Sequence, residues 1–139
     1  AGRLWELMDE PVEIADAAGA AALPRCRGHV TFENISFAYA GREATLCEVS
    51  FEVRPGQRVG VVGPSGAGKS TLLGLLLRLY DPASGRVLLD GHDARAVTQA
   101  SLRGQFGVVT QEPFLFSGSV RDNLTYARPE ATDAQVEAA

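Results

Sequence analysis

Apolar positions repeat with two different periods along this chain, and the changes of period mark out its elements. From Val30 the period is two: Val30 and Phe32 share one phase and Ile35, Phe37 and Tyr39 the other, so Glu33-Asn34 is predicted to hold a bulge or turn where the phase slips. Gly41-Arg42-Glu43 then turns the chain, and Leu46 to Val53 is predicted to return as a second strand with Val49, Phe51 and Val53 on one face. Pro55-Gly56-Gln57 forms a tight turn into Arg58-Val59-Gly60-Val61-Val62, which reads as a short buried strand. The leucine-rich run from Leu72 to Leu79 reads as a helix.

Asp81-Pro82-Ala83-Ser84-Gly85 breaks that helix, Arg86 to Asp90 is predicted as a short strand, and Asp90-Gly91 as a turn. A weak helix near Thr98 to Arg103 precedes a second buried strand, Phe106 to Val109, which delivers Gln111-Glu112-Pro113 into a loop followed by Phe114-Leu115-Phe116. Ser119 can cap a short helix through Leu124, closed off by Arg128-Pro129, and Thr132 with Gln135 makes a capping-box pattern opening another. At the other end Arg3 to Asp9 has helical spacing, with Leu4, Trp5, Leu7 and Met8 as a packing face. Pro11 ends it, and the small-residue tract Ala15 to Ala22 reads as a linker closed by Pro24.

Composition narrows the class. With 45% hydrophobic and 22% charged residues in 139, the chain is long enough for one core and no more than one domain. A net charge of -4 and a pI near 5.1 argue against a nucleic-acid partner, which calls for a basic patch or stripe. No apolar run approaches the roughly eighteen residues that span a bilayer. Cys26 and Cys47 lie far apart, with no CxxC and no His at ligand spacing, and are expected as buried reduced thiols. The chain opens inside a periodic stretch without Met and stops two turns into a capped helix, so a fragment is expected.

The chemistry gathers at Gly63-Pro64-Ser65-Gly66-Ala67-Gly68-Lys69-Ser70-Thr71, which fits GxxxxGK[ST]. A di- or triphosphate needs several converging donors, and backbone amides converge only where side chains do not intrude, which is the work of Gly63, Gly66 and Gly68. The anion is then set on a helix N-terminus, with Lys69 as a mobile charge for the β- and γ-phosphates and the Ser70 hydroxyl available to Mg²⁺. An apolar strand before the loop and a helix after it are the order this chemistry requires.

A phosphate loop alone is common to kinases, GTPases and motor ATPases. The blocks around it are more specific: Val30-Thr31-Phe32-Glu33-Asn34-Ile35-Ser36-Phe37-Ala38-Tyr39, Pro55-Gly56-Gln57, Tyr80-Asp81-Pro82-Ala83-Ser84-Gly85, Asp90-Gly91, Val109-Thr110-Gln111-Glu112-Pro113-Phe114-Leu115-Phe116 and Ser119-Val120-Arg121-Asp122-Asn123-Leu124. In this order they make the chain resemble the nucleotide-binding domain of an ATP-binding cassette (ABC) transporter, of the exporter type with membrane and nucleotide domains fused. The resemblance implies an α/β fold, a P-loop NTPase core with an antiparallel β subdomain, here incomplete. It also divides the chain into residues 1–24, the end of a helix and linker from a membrane domain, and residues 25–139, part of the nucleotide-binding domain.

The resemblance assigns roles that spacing does not. Tyr39 falls where the family keeps an aromatic residue stacked on adenine, Gly63 to Thr71 hold the ATP phosphates, and Ser70 and Gln111 are the Mg²⁺-side residues, Gln111 also linking the site to the membrane domain. Phe114 to Phe116 lie where the family meets the coupling helices of the transmembrane domain. A second nucleotide-binding domain, identical or not, is the other implied partner, nucleic acid is not, and the implied place is the cytoplasmic face of the cell membrane within an integral membrane protein. The signature helix, the Asp-Glu pair and the switch His of the family do not occur in residues 1–139, and His29 and His92 precede the Gln111 loop and are expected as surface residues. Binding of Mg-ATP without turnover is therefore expected of this stretch, with hydrolysis a property of the parent. Uncovered apolar faces and low solubility are expected of it in isolation.

Two other readings stay open at this point: a soluble ABC protein acting on nucleic acid or ribosomes, and a non-catalytic nucleotide-sensing module. Val87-Leu88-Leu89-Asp90 could also pass for an apolar strand ending in a Mg²⁺-holding Asp, but Gly91 after Asp90 suits a hairpin turn better.

Overall fold

The computed structural model describes residues 14–111 and 114–138, so the helix expected at Arg3 to Asp9 lies outside the described residues, as do Glu112 and Pro113. The chain divides into two compact units, the first ending at Gly107 and the second beginning at Val108.

The first unit is built on a four-stranded antiparallel sheet of order β2-β1-β3-β4, with β1 at Val30–Ala38, β2 at Ala44–Val53, β3 at Ser84–Leu89 and β4 at His92–Asp93. The phase slip in β1 is a bulge: Asn34 takes φ +47°, and the pairing shifts between Phe32↔Phe51 and Ile35↔Val49. The extra residue turns both Phe32 and Ile35 inward, at 3% and 0% exposure. On the β3 side the same bulge faces Gly85, whose φ is +82° and where a Cβ would lie 2.2 Å from the Glu33 carbonyl oxygen. Only a glycine lets β3 approach there. Asp90 and Gly91, at φ +49° and +84°, make the tight β3-β4 turn.

Helix α1 (Lys69–Leu76) and helix α2 (Gln99–Arg103) add Leu75 and Leu102 to a core that also holds Phe32, Ile35, Phe37, Leu46, Val87 and Leu89. Phe32 stacks on Phe51 with ring centroids 4.6 Å apart. The tract read as a linker is strapped to this unit. Ala21 bridges Val97, the Leu23 amide donates to Ser101 Oγ at 2.9 Å, the Cys26 amide to Gln105 Oε1 at 3.1 Å, and the Gln99 amide to Asp16 Oδ1 at 2.9 Å. These bonds are mostly made by backbone, which small residues leave accessible.

Several expectations need correction. Arg58 to Val62 and Phe106 to Val109 belong to no strand, and their valines are exposed: Val62 by 92% and Val109 by 94%. Neither stretch has a ladder partner among the described residues, and an unpaired apolar run has nothing to be buried against. Helix α1 starts at Lys69 and ends at Leu76, three residues earlier than the leucine run suggests, because Arg78 takes φ +50°. Cys47 is exposed and Cys26 half-buried, so neither is the fully buried thiol expected; both are free. Strand β3 starts at Ser84, inside the stretch read as a breaker, and β4 at His92–Asp93 is not marked by the sequence pattern, whereas the Arg54–Gln57 turn falls as read, its Gln57 amide donating to the Arg54 carbonyl at 3.0 Å.

The second unit has helices α3 (Val120–Leu124) and α4 (Asp133–Glu137), each opened by the expected N-cap: Ser119 with Asp122 and Thr132 with Gln135, both reciprocal capping boxes. An Arg121–Asp133 ion pair joins the two helices. Asn123 pins the preceding loop, accepting from the Phe116 amide at 2.8 Å and donating to the Phe116 carbonyl at 3.0 Å.

Candidate nucleotide site

The loop from Gly63 to Gly68 is shaped by backbone. Gly66 and Gly68 take φ +83° and +87°, and Gly68 is the N-cap of α1 with no side chain capping it. A Cβ at Gly68 would lie 2.8 Å from Leu46 Cδ2, so glycine is what lets the loop close against the start of β2. The helix beginning at Lys69 presents first-turn amides without intrahelical partners, together with the positive end of the helix dipole. Lys69 Nζ donates to the carbonyls of Gly63 and Pro64 at 2.8 and 2.6 Å, which holds the ammonium back over the loop. Ser65, Gly66, Ala67 and Ser70 are exposed around it. These donors fit a polyphosphate: backbone N–H groups, one cation, and an open hydroxyl at Ser70 for a divalent ion.

Thr71 differs from its neighbours. It is 4% exposed, and its Oγ1 lies 3.1 Å from the Tyr39 hydroxyl, which ties the loop helix to the end of β1. Tyr39 is half-buried and meets two rings edge-on, Phe37 at 4.9 Å and Tyr80 at 5.4 Å. The structure thus brings Tyr39 and the phosphate loop together. Gln111 belongs to the second unit, where it is exposed. In that unit Phe114, Leu115 and Phe116 are exposed, with Phe116 stacked on Tyr126 at 4.4 Å.

Asp90 has a structural task instead of a metal to hold. Its carboxylate accepts from the Arg27 amide at 2.5 Å and the His29 amide at 2.7 Å, which holds its pKa below the usual carboxylate range. Among the described residues no group of three or more His, Cys, Asp or Glu could hold a metal ion, and no helix is long and apolar enough to cross a membrane. His92 is exposed in β4, while His29 Nε2 sits 3.4 Å from Glu52.

Tyr80 and Gly74 carry a contact that the sequence does not announce: Tyr80 stands there only as the first residue of the Tyr80–Gly85 block, although a lone Gly74 among leucines is a signal of close approach. A Cβ at Gly74 would lie 3.1 Å from the Tyr80 ring.

Comparison with known proteins gives the setting. Residues 46–139 match the family model described as ABC transporter. The chain is 48% identical over 136 residues to "ATP-binding cassette sub-family B member 6" of Mus musculus, covering 98% of this chain and 16% of that protein. It is 47% identical over 136 residues to an "ATM1-type heavy metal exporter" of Novosphingobium aromaticivorans, covering 98% of this chain and 22% of that one. Among solved structures, a bacterial Atm1-family ABC exporter with ATP bound superposes with a TM-score of 0.90 at 46% identity, over 99% of this chain and 24% of that chain. The chain therefore spans between 16% and 24% of the length of these relatives. The family model covers most of the chain and the superposition nearly all of it, so the chain belongs to the ABC transporter family.

Proposed function

We propose that this chain is the ATP-holding part of a membrane exporter in which ATP binding and hydrolysis drive a substrate across the bilayer. The observation that carries the reading is the junction of Gly68 and Lys69: a left-handed glycine N-cap with no side chain on it, opening a helix directly after a glycine-shaped loop. Backbone amides of the Gly63–Thr71 loop, other than Pro64 which has none, receive the phosphates, Lys69 leaves the Gly63 and Pro64 carbonyls for the β- and γ-phosphates, and Ser70 ligates Mg²⁺. Tyr39 offers its ring to the adenine, and Gln111 is a Mg²⁺-side residue. Residues 1–24 join a membrane domain to the partial nucleotide domain of residues 25–139, Phe114 to Phe116 meet the coupling helices, and a second nucleotide domain closes the ATP site at the cytoplasmic face.

On this reading residues 1–139 bind Mg-ATP and do not turn it over, since the water-positioning acid is not among them. Lys69→Ala in the complete polypeptide should weaken Mg-ATP binding about ten- to a hundredfold, the range expected for losing a charge-assisted contact. Equilibrium titration with a fluorescent ATP analogue measures it, and an unchanged affinity would remove the phosphate-loop assignment. Phosphate release by residues 1–139 alone, abolished by the same substitution, would remove the no-turnover part.

A further inference from the structure

We propose that Tyr80 is a positioning residue for the nucleobase: seated on Gly74 of helix α1, its ring and the Thr71 hydroxyl together fix the orientation of the Tyr39 ring. The proposal rests on the reading that Tyr39 stacks on adenine and goes beyond it by naming what holds that ring in place.

The geometry is a relay of contacts inside the first unit. Thr71 and Gly74 stand one turn apart on the helix that leaves the phosphate loop. Thr71 Oγ1 holds the Tyr39 hydroxyl at 3.1 Å, and Gly74 admits the Tyr80 ring so closely that a Cβ would lie 3.1 Å from two of its carbons. Tyr80 then meets Tyr39 at 5.4 Å and 85°, while Phe37, 7% exposed, meets Tyr39 at 4.9 Å and 87° and Tyr80 at 5.5 Å. Tyr39 is thereby fixed at its hydroxyl end by hydrogen bonding and along its ring by two edges. An open cavity of about 280 Å³ lies against Phe37, Tyr39 and Tyr80. A stacking platform needs an orientation set before the base arrives, because a ring that must be ordered on binding gives up part of the stacking gain. The Tyr80 hydroxyl has no hydrogen-bond partner among the described residues, so the ring alone carries the contact.

The test compares Mg-ATP with inorganic tripolyphosphate, which shares the phosphates and lacks the base, by equilibrium titration of the complete polypeptide. Tyr80→Leu should weaken Mg-ATP about two- to tenfold, the range of an edge-to-face aromatic contact, and leave tripolyphosphate within twofold; Tyr80→Phe should match the unsubstituted protein. Unchanged ATP binding by Tyr80→Leu, or equal losses for both ligands, would overturn the proposal. Should Tyr80→Leu fail to fold, Gly74→Ala carries the test, with a smaller loss expected for ATP alone and the same outcomes overturning it. Tyr39→Ala separates the two levels of inference. If it spares ATP, the stacking reading and this proposal fall together; if it weakens ATP selectively while Tyr80→Leu does not, only the present proposal falls.

Discussion

Strand β1 and the stretch from Arg58 to Val62 are both apolar, yet only the first buries what it carries. Phe32, Ile35 and Phe37 in β1 are 3%, 0% and 7% exposed, whereas Val59, Val61 and Val62 are 48%, 50% and 92% exposed. The difference lies in neighbours. β1 is hydrogen-bonded on both edges, to β2 and β3, and its inner face lies in the same core as Leu75 and Leu102. The stretch feeding the phosphate loop has no ladder partner among the described residues. A run of valines therefore states a demand for a partner, and the fold of the first unit meets that demand for the antiparallel sheet alone.

The sharpest way to break this comparison is a pair of truncations. Phe32→Ala removes a ring stacked on Phe51 in the centre of the core and should destabilise the protein by about 3–5 kcal/mol. Val62→Ala, at a fully solvated position, should cost less than about 0.5 kcal/mol. Urea unfolding followed by circular dichroism measures both in residues 1–139. Costs of similar size would mean that the 58–62 stretch is covered in solution, and the contrast would collapse.

Arg78 tests where the helix leaving the phosphate loop is held. Its guanidinium is 4% exposed and donates to the Val97 carbonyl at 3.3 Å and the Ala15 carbonyl at 3.0 Å, beside Asp81 at 3.3 Å and Asp16 at 3.8 Å. From the other side Arg103 donates to the carbonyls of Leu77 and Arg78 at 3.0 and 2.9 Å, closing the helix C-terminus. Ala15 of the strap, Val97, and Arg103 of α2, and not the phosphate loop, thus anchor the far end of α1. Arg78→Leu should cost about 2 kcal/mol, since two hydrogen bonds to backbone are lost and both carboxylates stay partly solvated. Hydrogen exchange should quicken first at residues 15–23. A uniform change across the sheet would instead make Arg78 an ordinary core residue.

What the sequence made legible follows the same division. The bulge at Glu33-Asn34 showed as a phase slip, the Asp90-Gly91 turn as a dipeptide, and the Ser119 and Thr132 caps as short motifs, because each is a local rule written in adjacent residues. The phosphate loop was legible for the same reason. The strap at Ala15 to Cys26 was not, since its bonds are made largely by backbone and small residues carry no periodicity. The early end of α1 was hidden because leucine spelling continues through Arg78, whose left-handed backbone is set by its buried tertiary bonds. Tyr80 escaped because its contacts reach Gly74 and, across forty-one residues of sequence, Tyr39.

The smallest effect is electrostatic and again sits on the well-paired side. Asp90 leaves the β3-β4 turn with a left-handed backbone, and its carboxylate receives the amides of Arg27 and His29, while the Asp90 amide donates to the His29 carbonyl at 2.7 Å. Those amides stabilise the ionised form, so the pKa in the folded protein is below that of the unfolded chain. The contribution to stability is then fully present above the unfolded value and is lost as pH falls through the folded one. Lowering the pH from about 5 to about 2.5 should reduce the urea midpoint, and Asp90→Asn should flatten part of that fall because an amide has no charge to lose. Parallel curves for the two proteins would show that the carboxylate adds nothing beyond a neutral acceptor there. A flattened curve would make this turn the charge-dependent clasp between the strap and the sheet, with the unpaired valines before the phosphate loop outside its reach.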